Sequence, residues 1–131
     1  MKNNYQFNRI SKQNHIIKLV GEYSKDRNLK PAIFFDRDGV IVEDSHYISD
    51  PDNVRIIPGI KKILKRSNQA GWLNIVVTNQ SGISRGFFEW GDYEKVTIQM
   101  IKLLGENHPI HAIYANSSLP DDPISKNNWR K

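Results

Sequence analysis

The sequence has no cysteine among its 131 residues, which excludes disulfide bonds, a thiol nucleophile and any zinc site built on cysteine ligands. It has no apolar run longer than four residues, whereas a membrane-spanning helix needs roughly 20. The N-terminus also lacks the apolar segment and small-residue cleavage site of a secretory signal peptide. What is present, 38% hydrophobic and 25% charged residues, is typical of one globular domain. We therefore expect a cytoplasmic protein with no membrane segment.

The net charge of +5 is concentrated at one end of the chain. Residues 1–31 hold seven basic and two acidic side chains, whereas the remainder holds 12 of each. This basic N-terminal extension, residues 1–30, has one stripe at helical spacing, formed by Ile16, Leu19, Val20 and Tyr23. The stripe predicts a short helix or an arm packed on its own domain, and contact with a partner or polyanion is the alternative.

From Pro31 onward the pattern alternates between strand and helix signals. This alternation predicts an α/β domain over residues 31–131 with a parallel sheet flanked by helices. The apolar run 32–36 predicts a first strand that is buried on both faces. The other predicted elements are an amphipathic helix between Gly59 and Gly71, a strand over 73–77, a helix capped by Asp92 that ends near Gly105, a strand over 110–115, and a loop from Asn116 onward.

Polar clusters follow the first two predicted strands. In an open parallel sheet ligands bind beyond the carboxyl ends of the strands, so both clusters are candidate sites. Asp36 and Asp38 stand two residues apart, about 6.6 Å along extended backbone and on the same side, and can converge on one cation or phosphate. The segment 78–82 offers hydroxyl, amide and backbone groups to an anion. Each cluster taken alone also fits an ordinary polar turn.

The order and context of these residues resemble the haloacid dehalogenase superfamily, and within it the histidinol-phosphatase-like group. The resemblance is carried by residues 35–41 (Phe-Asp-Arg-Asp-Gly-Val-Ile), 44–47 and 77–86, and it covers residues 31–131. It implies a Rossmann-like fold and a Mg²⁺-dependent phosphomonoesterase that works through an aspartyl-phosphate. The implied substrate is a small sugar phosphate, of the heptose bisphosphate or histidinol phosphate type.

The resemblance also implies a role for individual residues. Asp36 is the expected nucleophile and Asp38 the acid and base, and Mg²⁺ is expected to bind Asp36 and the backbone oxygen of Asp38. Thr78 and Lys131 complete the catalytic set by contacting phosphoryl oxygens. For Arg85 a clamp on a second phosphate and a surface salt bridge are both open. The expected substrate-binding residues are Arg37, Asp44, Ser45, His46, Tyr47, Asn79, Gln80, Ser81, Arg85 and Arg130.

The sequence departs from the family pattern in two places. Ala115, Ser117 and Trp129 stand where the family's zinc loop has cysteines, so zinc is not expected. Relatives continue past the position of Lys131 into a strand whose end supplies a third carboxylate for Mg²⁺, and Asp121 and Asp122 precede that lysine in the wrong context to replace it. The fold is therefore expected to be incomplete on its C-terminal side, with an uncovered sheet edge. We interpret the chain as a truncated phosphatase or a degenerate member that needs a partner.

Two further functions remain open at this stage. A related branch, the polynucleotide 3′-phosphatases, has similar motifs. In this interpretation the basic side chains of the extension bind the phosphates of a nucleic acid. The third possibility is a non-catalytic binding or interaction fragment, which retains a phosphate-binding site but does not turn over a substrate. The preferred partner is a small phosphorylated substrate, with neither membrane nor nucleic acid expected, and the sequence leaves the exact sugar and the oligomeric state open.

Overall fold

The computed structural model describes the backbone of residues 8–13 and 16–20 and, with side chains, residues 28–105 and 107–119. No helix within these ranges is long and apolar enough to cross a membrane. A short 3-10 helix occupies Pro51–Asn53. The described elements are the strands β1 (Asn8–Gln13), β2 (Ile16–Val20), β3 (Ala32–Phe35), β4 (Leu73–Asn79) and β5 (Ala112–Asn116) and the helices α1 (Ile60–Gln69), α2 (Ser81–Ser84) and α3 (Trp90–Leu104).

The strands form one sheet in the order β1-β2-β5-β4-β3. β3 pairs in parallel with β4, and β4 pairs in parallel with β5. α1 makes the crossover from β3 to β4, and α3 lies in the crossover from β4 to β5. Because both crossovers step in the same direction across the sheet, the right-handed rule places both helices on the same face. The predicted α/β class with a parallel sheet and helices is confirmed.

The N-terminal extension joins this sheet. β2 pairs antiparallel with β5, and β1 pairs antiparallel with β2. The helix predicted from the stripe that begins at Ile16 is therefore wrong over the residues of β2, and Tyr23 lies outside the described residues. A helix of this length is marginal on its own, whereas a strand satisfies the row of backbone groups along the edge of β5. The alternative of an arm on its own domain agrees with this pairing, and the domain boundary at Pro31 stays a prediction.

One face of the parallel strands forms the hydrophobic core with the two helices. Phe35, Val76 and Ile113 project from the three parallel strands into one cluster with Leu64 of α1 and Met100 of α3. α1 is amphipathic, as predicted, because its buried residues recur every three or four positions.

The opposite face of the sheet is exposed at two described positions. The side chains of Phe34 and Val77 are 68% and 46% exposed, so the prediction that the first strand is buried on both faces is wrong. The reason is that α1 and α3 share one face, and no described helix covers the other. β3 has only β4 as a partner among the described strands, in agreement with the expected uncovered edge, whereas β5 is paired on both sides.

Element boundaries differ from the predictions in small ways. β4 continues through Thr78 and Asn79 because these residues still pair with β5. β5 begins two residues later than predicted, at Ala112. α3 begins at Trp90, so Asp92 is its third residue and not the residue that precedes it. The Asp92 carboxylate accepts a hydrogen bond from the Glu89 backbone N–H at 3.0 Å. These shifts leave the order of elements unchanged.

A buried polar residue ties α1 to the sheet. Asn74 accepts a hydrogen bond from Ser67 Oγ at 2.6 Å, and its amide donates to the carbonyls of Leu64 and Pro109 at 3.0 and 2.9 Å. The backbone N–H of Asn74 donates to His111 Nδ1 at 2.9 Å. Burial lowers the pKa of His111, which favours the neutral ring that can accept this bond. The polar atoms of Asn74 are therefore satisfied inside the core.

Adjacent positions of α1 provide a matched test of this packing. Leu64 is completely buried, whereas Ile63 is 53% exposed. Leu64→Ala is expected to lower the free energy of unfolding by about 2–5 kcal/mol, and Ile63→Ala by no more than about 0.5 kcal/mol. Urea denaturation followed by circular dichroism measures both. Equal losses would show that α1 presents a different face to the sheet.

Candidate active site

The two predicted carboxylates lie directly beyond the carboxyl end of β3. The register that places Phe35 opposite Val76 brings them to the edge of the sheet where Thr78 also lies. The Asp36 side chain is exposed, and its Oδ1 accepts the backbone N–H of Arg37 at 2.7 Å. Its Oδ2 has no hydrogen bond to a described residue, so one carboxylate oxygen is open to an incoming group.

A tight turn follows the carboxylates and requires the glycine of the motif. Gly39 has a φ of 83°, in the left-handed region that favours glycine. The Arg37 carbonyl accepts the backbone N–H groups of Ile41 and Val42, both at 3.0 Å, and the Gly39 N–H donates to the Val42 carbonyl at 2.8 Å. This local backbone network fixes the path of the chain around Asp38.

Gln80 joins the two polar clusters that the sequence presents separately. Its Nε2 donates to Asp38 Oδ2 at 2.9 Å and to Thr78 Oγ1 at 2.9 Å. Gln80 and Thr78 are both buried, whereas Asp38 is partly exposed. The second cluster is therefore in direct contact with the first, although Gln80 and Asp38 are 42 positions apart.

Arg37 lies beneath Asp38 in the protein interior. Its side chain is completely buried. Its Nε and Nη2 donate to the two carboxylate oxygens of Asp38 at 2.8 and 3.1 Å. Its Nη1 donates to Thr97 Oγ1 at 3.4 Å, and its guanidinium carbon stands 5.1 Å from the centre of the Tyr93 ring. Burial raises the pKa of Tyr93, so α3 supports the guanidinium with a neutral aromatic ring.

The loop formed by the predicted substrate-binding residues 44–47 packs beside the second cluster. Asp44, Ser45, His46 and Tyr47 are all exposed, and Asp44 Oδ1 accepts the His46 backbone N–H at 3.1 Å. His46 and Tyr47 have φ values of 50° and 55°, which are uncommon for residues other than glycine. The Tyr47 ring meets Phe87 edge-on with centroids 4.8 Å apart, so this loop rests on the turn that follows α2.

The remaining predicted substrate contacts lie around α2. Asn79 is exposed at the end of β4, and Ser81 is partly buried at the start of α2. The Gln80 backbone N–H donates to the Asn116 carbonyl at 2.6 Å, so the end of β5 also reaches this edge. Arg85 is exposed and has no ion pair with a residue of the described ranges. The clamp on a second phosphate remains a prediction for Arg85.

Several predicted residues cannot be placed in this site. Lys131 and Arg130 lie outside the described residues, as do Asp121 and Asp122, and their roles stay predictions. No group of three or more His, Cys, Asp or Glu side chains within the described ranges is arranged to hold a metal ion.

Arg37 and Gln80, both predicted to bind substrate, have buried side chains that donate hydrogen bonds to Asp38. Their direct contact with a substrate stays a prediction.

The structure adds residues that sequence reasoning missed. Thr97 and Tyr93 hold the Arg37 guanidinium from α3, and Asn116 holds the backbone of Gln80. Thr97 had a usable signal, because it stands in the apolar stripe of α3 between Val96 and Met100. A buried threonine hydroxyl needs a hydrogen-bond partner. A buried arginine such as Arg37 can supply one.

Comparison with known proteins shows that this chain is similar to phosphatases. The chain is 43% identical over 76 residues to D-glycero-beta-D-manno-heptose-1,7-bisphosphate 7-phosphatase of Mesorhizobium japonicum, covering 58% of this chain and 35% of that protein. It is 34% identical over 99 residues to the protein of the same name from Helicobacter pylori, covering 72% of this chain and 56% of that one. No family model matches the chain.

Two solved structures share the fold. A HAD-like phosphatase from Mesorhizobium loti superposes with a TM-score of 0.78 at 30% identity, covering 85% of this chain and 54% of that one. A D,D-heptose 1,7-bisphosphate phosphatase from B. bronchiseptica, solved with magnesium and phosphate, gives a TM-score of 0.65 at 33% identity and covers 71% and 53% of the two chains. The match spans about half the length, or less, of these relatives.

Gly82 provides a test of the packing between the loop and α2. A Cβ at this position would lie 2.7 Å from Tyr47 Cδ1 and closer still to Phe88 Cε1, whereas a Cβ at Gly91 meets nothing within 4 Å. Gly82→Ala is expected to lower the free energy of unfolding by about 1–3 kcal/mol through overpacking. Gly91→Ala, the matched control in α3, is expected to leave it unchanged or raise it by up to about 1 kcal/mol. Thermal denaturation compares the two, and an equally stable Gly82→Ala variant would contradict the described contact.

Proposed function

We propose that this chain, a homologue of the haloacid dehalogenase-like phosphatases, is a phosphomonoesterase that acts on a sugar bisphosphate through an aspartyl-phosphate. One observation carries the proposal. The Gln80 amide donates hydrogen bonds to both Asp38 and Thr78, and the exposed Asp36 lies two residues before Asp38. In this proposal Asp36 is the nucleophile, Asp38 is the acid and base, and Thr78 holds phosphate.

The two carboxylates divide the chemistry between them. An oxygen of Asp36 attacks phosphorus, and the bond between phosphorus and the leaving oxygen breaks as Asp38 donates a proton to that oxygen. In the second step Asp38 takes a proton from water, whose oxygen attacks the phosphorus of the aspartyl-phosphate and releases Asp36 as a carboxylate. One difficult hydrolysis thereby becomes two displacements at the same phosphorus.

Thr78 is suited to hold a phosphoryl oxygen. Its Oγ1 accepts a hydrogen bond from Gln80 at 2.9 Å, so its own hydroxyl proton remains available for donation. Donors fixed before the reaction stabilise charge that develops on phosphoryl oxygens. Lys131 adds a positive charge to the same oxygens in this proposal, on the family resemblance alone.

The donor atoms around Asp36 suit magnesium. Mg²⁺ prefers oxygen ligands and usually binds one or two carboxylates together with water and substrate phosphate. The Asp38 carboxylate is engaged by Arg37 and Gln80. The Asp36 carboxylate and the backbone carbonyl of Asp38 would therefore hold the ion. When bound, the ion supplies positive charge that reduces repulsion between Asp36 and a phosphate dianion.

The proposed substrate is a heptose bisphosphate, with histidinol phosphate as the alternative. The names of the relatives support the first, and the exposed Arg85 follows directly after α2, where a guanidinium can bind a second phosphate. A second candidate function is phosphate binding without turnover. Thr78 supports this candidate, because its hydroxyl proton is available to a phosphoryl oxygen whether or not turnover follows.

Phosphate release separates the two functions. The chain is incubated with heptose 1,7-bisphosphate, histidinol phosphate and 3′-phosphorylated DNA, with and without Mg²⁺. We expect Mg²⁺-dependent release from the heptose bisphosphate, a fall to background in Asp36→Asn because the nucleophile is lost, and no change in Asp52→Asn, a surface variant with the same change of charge. Asp38→Asn is expected to lose at least about 100-fold.

The other outcomes are equally informative. Binding of inorganic phosphate without release from any substrate would support the second candidate. Release that persists in Asp36→Asn would contradict the aspartyl mechanism.

A further inference from the structure

Arg37 is a charged side chain in the protein interior, and its surroundings account for it. Among the residues whose burial the structure describes, it is the largest completely buried side chain. Burying a guanidinium costs free energy unless hydrogen bonds and an opposite charge compensate. Each of its three nitrogens donates a hydrogen bond within the protein, two of them to Asp38 and one to Thr97. No surface of this side chain is left for a bound molecule.

The contacts around Asp38 fix the orientation of its carboxylate. Arg37 holds both oxygens with a two-pronged donor, and Gln80 donates to Oδ2 as well. A planar guanidinium that binds both oxygens restricts the rotation of the carboxylate as well as its position. The outer part of Asp38 remains accessible, with 26% of its side chain exposed.

This orientation is set from α3, which supplies no predicted site residue. Thr97 bonds the third nitrogen of Arg37, and the Tyr93 ring lies 5.1 Å from the guanidinium carbon. Tyr93 and Thr97 are four positions apart and therefore share one face of the helix. We infer that Arg37 is a positioning residue. It fixes the Asp38 carboxylate relative to α3 and does not contact the substrate.

The inference rests on the proposed function for its catalytic consequence and departs from the substrate contact predicted from the sequence. An arginine that binds substrate contributes affinity to every phosphorylated substrate. An arginine that orients the acid matters most when the leaving oxygen needs a proton, because a misplacement of about 1 Å can cost on the order of 100-fold. A sugar alkoxide needs that proton, whereas p-nitrophenolate leaves without it.

Arg37→Lys therefore has a distinctive kinetic signature. Lysine keeps the charge but cannot bind both oxygens as a planar fork. With heptose 1,7-bisphosphate we expect kcat/KM, which reports the steps up to departure of the leaving group, to fall about 10- to 100-fold. With p-nitrophenyl phosphate we expect kcat/KM to fall less than about threefold, because departure of that leaving group needs no acid. The matched control is Arg66→Lys on the exposed side of α1, which is expected to change neither. Equal losses of kcat/KM on both substrates, or a raised KM for the heptose bisphosphate with unchanged kcat, would overturn the inference.

A second measurement does not depend on turnover. In the NMR spectrum of the full chain we expect a scalar coupling across the hydrogen bond from Arg37 Nε to the Asp38 carboxylate carbon, and slow exchange of the Arg37 Hε proton. Thr97→Val, which keeps the shape of the side chain, should accelerate that exchange severalfold by removing the anchor on α3. An Arg37 Hε that exchanges as fast as that of Arg66, with no coupling, would overturn the inference. If the chain turns over neither substrate, the proposed function fails in this chain, and the coupling still tests whether Arg37 holds the Asp38 carboxylate.

Discussion

The parallel pairing of β3 with β4 is the constraint on which the site depends. Asp38 and Gln80 are separated by 42 positions in the chain, and the register with Phe35 opposite Val76 brings their strand ends to the same edge. Both residues of that pair are buried in the core with α1 and α3. Burial of apolar side chains, the main favourable contribution to folding, thus fixes the distance between the two polar clusters.

The interior beneath the site is organised around one buried charge. Arg37 is tolerated there because Asp38, Thr97 and the ring of Tyr93 surround its guanidinium. Removing one member of such a group leaves a buried charge or donor unpaired, which costs more than the bond itself contributes. The same contacts therefore stabilise the domain and, in the role inferred for Arg37, orient the Asp38 carboxylate from α3.

The sequence was sufficient to predict the α/β class, the presence of β3, β4 and β5 along the chain, and the two polar clusters at the strand ends. Short apolar runs followed by acidic or amide residues signal these features locally. Other features depend on tertiary partners. Ile16–Val20 has a stripe compatible with a helix, but its structure is decided by the open edge of β5. The direction of the Arg37 side chain depends on α3, 60 positions away at Thr97. The exposure of Phe34 reflects the placement of both helices on one face, which no local pattern records.

The central claim is that Asp36 accepts a phosphoryl group, and it can be tested without any leaving group. Beryllium trifluoride binds an aspartate carboxylate as a mimic of the phosphoryl group, and ¹⁹F NMR distinguishes the bound from the free species. The account predicts bound signals with this chain in the presence of Mg²⁺, which disappear in Asp36→Asn and persist in Asp52→Asn. The absence of bound signals from folded protein, or their persistence in Asp36→Asn, would contradict it.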